Sequence, residues 1–272
     1  MTAHSADAGR VILPQPEATG GDYFVLSDAL TALENGGGVA FPPFEIVHLP
    51  AYGVSFCLNM KRDPIQAAIR GGDFFELDEL LAIKDHVKSG AHVIDIGSNI
   101  GNHALWFAHV MQAARVVVIE PNPLAMAPLV ANVLINRLGA VIDLSALGIG
   151  LSDTSEGGYG MKRHDRNLGA TKMRAGKGDI QVHRGDDLFD GETPDLIKID
   201  VEGMEIKVLS GLERVISTHR PVLLIEVDGE NDAAFHDWMK TNRYTVQRTD
   251  RHSRKNCNYL ITPERHDTDH NQ

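Results

Sequence analysis

Residues 92–108 read HVIDIGSNIGNHALWFA and join a strand pattern, a glycine turn and a helix pattern in one short segment. Val93, Ile94 and Ile96 form a β-branched apolar run without helical spacing, which is typical of a strand buried on both faces. The apolar residues at 104–111 favour a largely buried helix. A strand, a tight turn and a helix in this order predict the opening unit of a doubly wound α/β sheet.

The turn between this strand and this helix predicts a ligand site. Gly97 and Gly101 lack a Cβ, so a ligand can approach the backbone closely. The dinucleotide fingerprint G-x-G-x-x-G is not matched, because Asn99 stands at its second glycine, and no Walker loop follows. Asp95 and the N–H groups at the helix start suit the zwitterionic methionine tail of S-adenosylmethionine instead. The alternative is a turn that only closes the strand–helix unit.

A second signal follows in RVVVIE, residues 115–120, which predicts a buried strand ending in Glu120. An acid about 20 positions after the glycine turn accepts hydrogen bonds from the ribose hydroxyls of a bound nucleoside. Each such bond to a charged group contributes roughly 1.5–3 kcal/mol, so Glu120→Ala is expected to weaken cofactor binding about ten- to a hundredfold. Pro121 and Asn122 end the strand and are expected at the same site.

The composition of the 272 residues limits the class of protein. A hydrophobic content of 43% suffices for a core, and the net charge of -11 argues against a nucleic acid partner, because phosphate binding needs a basic surface. No apolar run reaches the length of a membrane span, and no signal-peptide pattern is present. We expect a cytoplasmic protein without a membrane partner; its oligomeric state, a homo-oligomer included, is open.

The chain divides into four expected parts. They are a mobile N-terminal tail (1–20), a cap on the substrate side (21–88), an S-adenosylmethionine-binding domain (89–264) and a mobile C-terminal tail (265–272). A helix, a β-hairpin and a second helix are predicted within the cap. Glu76, beside two phenylalanines, is expected to line the substrate site, with a solvated acid at a helix start as the alternative.

The rest of the chain continues the α/β pattern. Its predicted elements are a helix at 124–138, strands at 141–147, 195–200 and 221–227, a helix starting near Gly203, and a closing strand pair at 243–249 and 256–262. Ala146, near the end of the third strand, is expected to lie beside an adenine ring.

Residues 150–185 interrupt this alternation of predicted strands and helices. They are rich in glycine and in Lys and Arg, and we expect an irregular insertion that acts as a binding loop or lid. A solvated hairpin is the alternative. Asn167 and Gly169, within the sequence RNLGA, are the expected substrate contacts.

Acidic side chains gather where the fourth and fifth strands end. Asp200, Glu202 and Glu226 are predicted to be catalytic, because a carboxylate with a raised pKa can take the proton of an acceptor hydroxyl. Alternatively, Asp200, Glu226 and Asp228 hold a divalent cation, or Asp200 and Glu202 only cap the next helix. His103, in the first turn of the helix after the glycine turn, is a further substrate-side candidate.

Five segments together resemble the FkbM-type S-adenosylmethionine-dependent methyltransferases. They are HVIDIGSNIGNHALWFA, VVVIEPNP, GDDLF, DLIKIDVEGMEIKVLSG and LLIEV, within about residues 70–230. The resemblance implies a class I methyltransferase sheet, mostly parallel and seven-stranded, with a terminal antiparallel hairpin. The cofactor contacts that it implies are Asp95, Gly97, Asn99, Gly101, Asn102 and Glu120, and Ser98 lies in the same turn.

These observations predict an enzyme, an S-adenosylmethionine-dependent O-methyltransferase with a small hydroxylated acceptor. The resemblance favours this acceptor class, because many members methylate hydroxyls of sugars and natural products. Two alternatives stay open: an N-methyltransferase, which needs no strong base, and a cofactor-binding protein without transferase activity. A requirement for a divalent metal is open as well.

Overall fold

The computed structural model describes residues 24–162, 167–251 and 255–264. The terminal tails predicted at 1–20 and 265–272 lie outside these ranges. Within the described ranges, no helix is both long enough and apolar enough to cross a lipid bilayer.

The N-terminal segment contains a β-hairpin between short helices. In chain order its elements are α1 (Leu26–Glu34), β1 (Glu45–Leu49), β2 (Val54–Leu58), α2 (Pro64–Arg70) and α3 (Leu77–Ile83). The hairpin pairs antiparallel, as predicted. Helix α2 is additional to the predicted elements. It begins where the Asp63 side chain accepts the Gln66 N–H and where Pro64 suits the first helical turn.

The first half of the main sheet follows the predicted order. Its elements are β3 (His92–Ile96), α4 (Asn102–Leu105), β4 (Arg115–Ile119), α5 (Pro123–Ile135) and β5 (Ile142–Asp143). Helix α4 continues as a π-helical turn at Trp106–Val110, whose Trp106 ring is fully buried. The predicted strand at 141–147 was too long. The Asp143 carboxylate accepts the Ser145 N–H at 2.9 Å, and this local hydrogen bond turns the chain out of the sheet.

The segment predicted to be an irregular insertion is a small ordered sheet. Its strands are β6 (Ile149–Ser152), β7 (Glu156–Lys162), β8 (Lys172–Ala175) and β9 (Ile180–Arg184), paired in the order β6-β9-β7-β8. The expectation of an irregular segment was wrong because glycines hide the strand pattern, whereas the alternative of a hairpin is confirmed in part, since β7 and β8 pair antiparallel. A Cβ on Gly160 would lie 2.3 Å from the Lys177 carbonyl oxygen, so the close approach of two chains requires a residue that otherwise indicates a loop.

The second half of the chain completes the main sheet. Its elements are α6 (Gly185–Leu188), β10 (Leu196–Ile199), α7 (Glu205–Gly211), α8 (Glu213–His219), β11 (Val222–Asp228), α9 (Asp232–Asn242), β12 (Tyr244–Asp250) and β13 (Asn256–Pro263). Helix α7 has no side-chain cap from Asp200 or Glu202. Instead, the Gly203 N–H donates to the Glu205 carboxylate at 2.6 Å. The capping alternative for Asp200 and Glu202 was therefore wrong.

The main sheet is a mixed sheet of seven strands in the order β12-β13-β11-β10-β3-β4-β5. The strands from β11 to β5 run parallel to one another, and β13 is antiparallel to both β11 and β12. The chain proceeds from β3 to one side and returns on the other, so the carboxyl ends of β3 and β10 are neighbours. An open α/β sheet binds its ligands at such a switch point.

Two apolar cores cover the two faces of the main sheet. Alternate residues of β4 face opposite sides, so Val116 belongs to one core and Val117 to the other. The first core also contains Phe56 of the hairpin, and the second contains Phe235 of α9. The hairpin is further fixed to α5, because the Asn136 side chain hydrogen-bonds to the backbone of β2.

Candidate functional site

Two adjoining cavities open at the carboxyl ends of β3 and β10. The larger cavity has a volume of about 570 Å³, and the smaller has a volume of about 50 Å³. The residues that line both are Gly97, Asn99, Gly169, Asp200 and Glu202. One ligand can therefore extend from the larger cavity into the smaller cavity across the glycine turn.

The glycine turn is held closely between β4 and β10. The Gly97 N–H donates to the Ile119 carbonyl at 2.9 Å, and Gly97 has a φ of +77°. A Cβ at this position would lie 1.8 Å from the Asp200 carbonyl oxygen, so only glycine fits. The Ser98 hydroxyl donates to the Asp95 carbonyl at 2.6 Å and fixes the turn to the end of β3.

Glu120, the acid that follows β4, is buried against the same turn. Its Oε2 accepts the Asn99 N–H and its Oε1 accepts the Asn122 N–H, each at 2.8 Å. Burial raises the pKa of Glu120 to about 7, although the two N–H groups lower it. Each carboxylate oxygen has a second lone pair, and Glu120 lines the smaller cavity, so it can still accept hydrogen bonds from a ligand.

The smaller cavity has a largely apolar wall beside Glu120. Ile119 contributes from the main sheet, and Leu151, Met161 and Met173 contribute from the small sheet. The small sheet therefore covers the carboxyl end of β4 and encloses this cavity. A flat apolar group is the kind of ligand that such a wall suits.

Lys198, in β10, is a buried charge between β3 and the larger cavity. Its side chain is 4% exposed, and Nζ lies 3.2 Å from Asp95 Oδ1 and 3.6 Å from Asp200 Oδ2. It also donates to the Gly97 carbonyl at 2.6 Å. Burial lowers the pKa of Lys198, but the carboxylates of Asp95 and Asp200 outweigh this effect and leave the pKa above its ordinary value. The charged lysine thus joins β3, β10 and the glycine turn.

Three carboxyl groups converge in the larger cavity. Asp200, Glu202 and Glu226 each place an oxygen within 4.8 Å of the other two. Burial, followed by the charge of Asp200, raises the pKa of Glu226 to about 9 and the pKa of Glu202 to about 7. Burial also raises the pKa of Asp200, against the lowering effect of Lys198. At neutral pH, Glu226 therefore carries a proton, and Glu202 exchanges one readily.

These three acids have the ligand type that a divalent cation prefers. The set differs from the predicted set of Asp200, Glu226 and Asp228. Lys172 Nζ lies 2.9 Å from Asp228 Oδ2, and this hydrogen bond lowers the pKa of Asp228. Asp228 is thus engaged by a lysine, and Glu202 completes the cluster instead.

The N-terminal segment forms one wall of the larger cavity. Glu76 Oε2 lies 3.2 Å from His103 Nε2, and both side chains are almost completely buried. Asn102 exchanges two hydrogen bonds with the backbone of Phe75, each at 3.1 Å. Helix α4 and the segment before α3 are therefore fixed to each other at the cavity.

The loop between β7 and β8 forms another wall. Asn167 and Gly169 line the larger cavity, while Leu168 between them is buried in the first core. The Leu168 N–H donates to the fully buried Asp63 carboxylate at 2.8 Å. A Cβ on Gly169 would lie 3.3 Å from the Asn99 side-chain nitrogen, so the loop packs directly on the glycine turn.

The sequence model of the Methyltransferase FkbM domain matches residues 95–259, which include the glycine turn, Glu120 and the three clustered acids. The chain belongs to the FkbM methyltransferase family. Membership implies methylation that depends on S-adenosylmethionine. No curated protein matches the chain.

Solved structures of similar fold include the methyltransferase FkbM from Methylobacillus flagellatus KT, with 24% identity and a TM-score of 0.46. The B. subtilis M1A22 tRNA methyltransferase TrmK has 13% identity and a TM-score of 0.44, as does the precorrin-6y C5,15-methyltransferase from Geobacter metallireducens GS-15. The matches cover 64%, 68% and 68% of this chain, respectively. The chain spans 44%, 65% and 84% of the three proteins in the same order.

The predicted cofactor residues of this FkbM methyltransferase fall into two groups. Those on a cavity wall are Gly97, Ser98, Asn99, Asn102, Glu120 and Pro121. Among the described residues, four lie outside both walls, namely Asp95, Gly101, Asn122 and Ala146. Asp95 is fully buried beside Lys198, and the Asn122 side chain caps α5 by accepting the Leu124 N–H. Gly101 has a φ of +86° at the start of α4, and Ala146 packs against the second core.

The residues predicted for substrate contact and catalysis come together. The larger cavity is lined by Glu76, His103, Asn167, Gly169, Asp200, Glu202 and Glu226. Their roles stay predictions, but their positions match one site.

Two residues that position the site were not predicted. Lys198 stands in the apolar strand DLIKID, where a lone charge at a buried position indicates a buried partner. Asp63 precedes a proline in KRDPI, a pattern that indicates a helix N-cap. Nothing in the sequence connects Asp63 to Leu168.

Proposed function

We propose that this FkbM methyltransferase transfers a methyl group from S-adenosylmethionine to a hydroxyl oxygen of a small polyhydroxylated acceptor. The proposal depends on one observation. The carboxyl groups of Asp200, Glu202 and Glu226 converge in the larger cavity, which adjoins the glycine turn. These three carboxyl groups offer several acceptor oxygens to the hydroxyl groups of an acceptor.

The residues around the smaller cavity fit the nucleoside part of S-adenosylmethionine. Glu120 offers its buried carboxylate to the ribose hydroxyls, and Leu151, Met161 and Met173 offer an apolar surface to adenine. The volume of about 50 Å³ is far below the roughly 300–1,000 Å³ of typical ligand sites.

The methionine part fits the wall that the two cavities share. Ser98 and Asn99 lie at the glycine turn before α4 and line the larger cavity. The N–H groups of the turn itself are bonded within the protein, so side chains of the wall have to hold the methionine part. Lys198 holds the Gly97 carbonyl from behind and keeps the turn in place. The glycine turn is therefore held in place next to the clustered acids.

When bound, S-adenosylmethionine supplies an electrophilic methyl group: the acceptor oxygen forms the new C–O bond, the C–S bond breaks with its electron pair left on sulfur, and the hydroxyl proton passes to a base. Glu202 suits the role of this base, because its pKa of about 7 leaves a carboxylate at neutral pH that still binds a proton. Glu226 keeps its proton and hydrogen-bonds to Asp200. Asp200 is in turn held near Lys198.

The cluster supports oxygen rather than nitrogen as the methylated atom. A neutral amine attacks a sulfonium methyl group without losing a proton first, so it needs no base of this strength. Holding three carboxyl groups within 4.8 Å is unfavourable for the folded state unless they bind protons, a cation or hydrogen-bond donors. A hydroxylated acceptor provides such donors.

Calorimetry with S-adenosylhomocysteine tests the cofactor site, and product analysis with paired hydroxylated and amine acceptors tests the reaction. We expect cofactor binding, methylation of hydroxyl acceptors only, and a rate that falls about 10²-fold or more in Glu202→Gln. Glu213→Gln, at the exposed start of α8, is the control and keeps the full rate. Methylated amines together with an unchanged Glu202→Gln rate would refute the proposal.

A further inference from the structure

His103 is a buried histidine on the wall of the larger cavity. The residue is 6% exposed and lies in the first turn of α4, next to the glycine turn. Its Nε2 atom is buried, and Glu76 Oε2 lies 3.2 Å from it. Among the described residues, no hydrogen bond reaches its Nδ1 atom. One ring nitrogen is therefore engaged within the protein, and the other is left to a ligand.

Glu76 is held in an unusual backbone conformation. Its φ of +58° and ψ of +37° lie in the left-handed region, which few residues other than glycine adopt. The side chain is buried, and its Oε1 accepts a hydrogen bond from Asn258 Nδ2 of β13 at 3.2 Å. Residues in such conformations cluster at functional sites, where the surrounding structure holds them in place. Asn258, Glu76 and His103 thus form a series of contacts that ends at the cavity.

The Glu76 carboxylate determines which nitrogen of His103 carries the proton. An ionised carboxylate only accepts hydrogen bonds, so it favours the neutral ring with its proton on Nε2. Nδ1 then has a lone pair and can accept a hydrogen bond from a ligand. Asn102 and Phe75 already join α4 to the segment before α3 through two hydrogen bonds. Joining these segments therefore does not by itself explain why a carboxylate is buried beside the ring, which is costly.

His103 and Glu76 also lie near the clustered acids. Burial raises the pKa of Asp200, and the charge of Glu76 raises it further, whereas His103 lowers it. The acids lie at the carboxyl end of the main sheet, while His103 belongs to α4. A hydroxylated ligand in the larger cavity therefore meets hydrogen-bond acceptors on two different walls.

We propose that His103 is an acceptor-binding residue of this methyltransferase: its Nδ1 accepts a hydrogen bond from a hydroxyl group other than the one that is methylated, and Glu76 positions the ring through Nε2. This inference rests on the proposed function, since it concerns the acceptor of the same site. The methylated hydroxyl lies against the acids, so a second hydroxyl at His103 fixes the orientation of the acceptor. His103 thereby selects acceptors with more than one hydroxyl group.

The test uses nuclear magnetic resonance of the full chain with isotope-labelled histidine, because the signals of the ring nitrogens report the tautomer directly. The chain has 13 histidines, and His103→Asn assigns the His103 signals by their loss. The probes are glycerol, which carries a hydroxyl group on every carbon, and 1-propanol, which has the same carbon skeleton and a single hydroxyl group. His86 is exposed and does not line the cavity, so its signals, assigned through His86→Asn, are the internal control.

We expect the neutral His103 ring to carry its proton on Nε2. Glycerol should shift the Nδ1 signal of His103 and bind about two- to tenfold more tightly than 1-propanol, because it forms one more neutral hydrogen bond. The His86 signals should respond to the two alcohols equally. The inference is overturned if the neutral His103 ring carries its proton on Nδ1, if glycerol leaves the His103 signals unchanged, or if both alcohols bind equally well.

The variant Glu76→Gly tests the positioning role of Glu76. Glycine adopts the left-handed conformation readily, so the variant removes the carboxylate and suits the backbone. We expect a mixture of the two His103 tautomers and a loss of the preference for glycerol, in a variant whose melting temperature shows that it folds. An unchanged tautomer and an unchanged preference would overturn the role of Glu76. The titration of the unmodified chain decides the role of His103 whether or not this variant folds.

The titration needs neither cofactor nor turnover, so its result is separate from that of the proposed function. Absence of S-adenosylhomocysteine binding in calorimetry refutes the proposed function, while the glycerol titration still decides whether His103 binds hydroxyl groups. Conversely, methylation of a hydroxyl acceptor together with unresponsive His103 signals leaves the methyltransferase proposal standing and removes only the role of His103.

Discussion

Asp63 accepts a hydrogen bond from the backbone N–H of Leu168, 105 residues further along the chain, at 2.8 Å. The other carboxylate oxygen accepts the Gln66 N–H at 3.0 Å and caps α2. One fully buried side chain thus joins the N-terminal segment to the loop whose Asn167 and Gly169 line the larger cavity. The cavity owes the position of this wall to a residue that does not itself line it.

The variant Asp63→Asn separates the capping of α2 from the hydrogen bond to the Leu168 N–H. An asparagine oxygen still accepts the Gln66 N–H, because Asn and Asp are equally good N-caps. Its NH₂ group faces the Leu168 N–H and cannot accept from it. Loss of a buried hydrogen bond to a charged group costs about 1.5–3 kcal/mol. We expect the Leu168 amide to exchange hydrogen at least tenfold faster and the Gln66 amide to keep its protection.

Hydrogen exchange of individual amides measures both effects in one sample. Asp73→Asn, at an exposed carboxylate that pairs with the Tyr52 hydroxyl, is the control for a general loss of stability. Equal protection of Leu168 in Asp63→Asn and in the unmodified chain would show that the loop is held in place by other contacts.

The raised pKa of Glu202 leads to a prediction for the pH dependence of methyl transfer. Its pKa of about 7 means that the carboxylate form is lost as the pH falls through neutrality, so kcat/KM should decline below about pH 7. On the alkaline side, Glu226 loses its proton near pH 9, which adds a second negative charge beside Asp200 and should lower the rate again. The acidic limb of the profile should disappear in Glu202→Gln. Because the pKa of Glu120 in the cofactor site is also about 7, kcat/KM for the acceptor is measured at saturating S-adenosylmethionine. An acidic limb that persists in Glu202→Gln under this condition assigns the base to another group.

The raised pKa of Glu226 leads to a prediction for how the stability of the folded chain depends on pH. Its folded-state pKa of about 9 lies above the ordinary value of 4.5, so the folded chain holds a proton that the unfolded chain has released between these pH values. The free energy of unfolding should therefore fall as the pH rises across this window. Glu226→Gln removes the titration while keeping an acceptor for Asn256. At pH 8 we expect a Tm higher by about 2–4 °C per kcal/mol recovered, and at pH 4 no difference. Thermal unfolding at both pH values, with Glu213→Gln as control, measures this; a lower Tm at pH 8 contradicts it.

Glu120 predicts the strength of nucleoside binding. Glu120→Gln keeps one acceptor oxygen and loses the charge, so the affinity for S-adenosylhomocysteine should fall about tenfold or more. Because the variant also disturbs the Asn99 and Asn122 N–H groups, the ligand supplies the control. A 2′-deoxyribose analogue should bind the unmodified chain more weakly and bind Glu120→Gln with little further loss. Strictly additive losses in calorimetry would show that Glu120 does not contact the ribose.

The parts of the fold that local chemistry determines were visible in the sequence. The β-branched runs of β3 and β4 and the turn at Gly97 need particular residues at particular positions, so the strand, the turn and the acid Glu120 could be predicted. The small sheet could not, because its pairing depends on glycines that allow close chain contact rather than on an apolar alternation. The gathering of the acids at one sheet edge followed from strand order. Asp200, Glu202 and Glu226 were predicted together as the catalytic set, and these are the acids that cluster. The alternative metal set contained Asp228, which pairs with Lys172 in a contact between distant segments that has no local signal in the sequence.

Variants of Lys198 and Asp95 test whether their ion pair supports the glycine turn. The two residues are register partners in the parallel pair β10–β3, and both side chains are buried. Lys198→Met leaves Asp95 as an uncompensated buried charge, which costs about 3–5 kcal/mol. The double variant Lys198→Met/Asp95→Asn removes both charges and should recover most of this loss, although the Gly97 carbonyl still lacks its donor. Chemical denaturation of the single and double variants gives the coupling energy. If the losses of the single variants Lys198→Met and Asp95→Asn simply add in the double variant, the Lys198–Asp95 ion pair does not stabilise the folded chain.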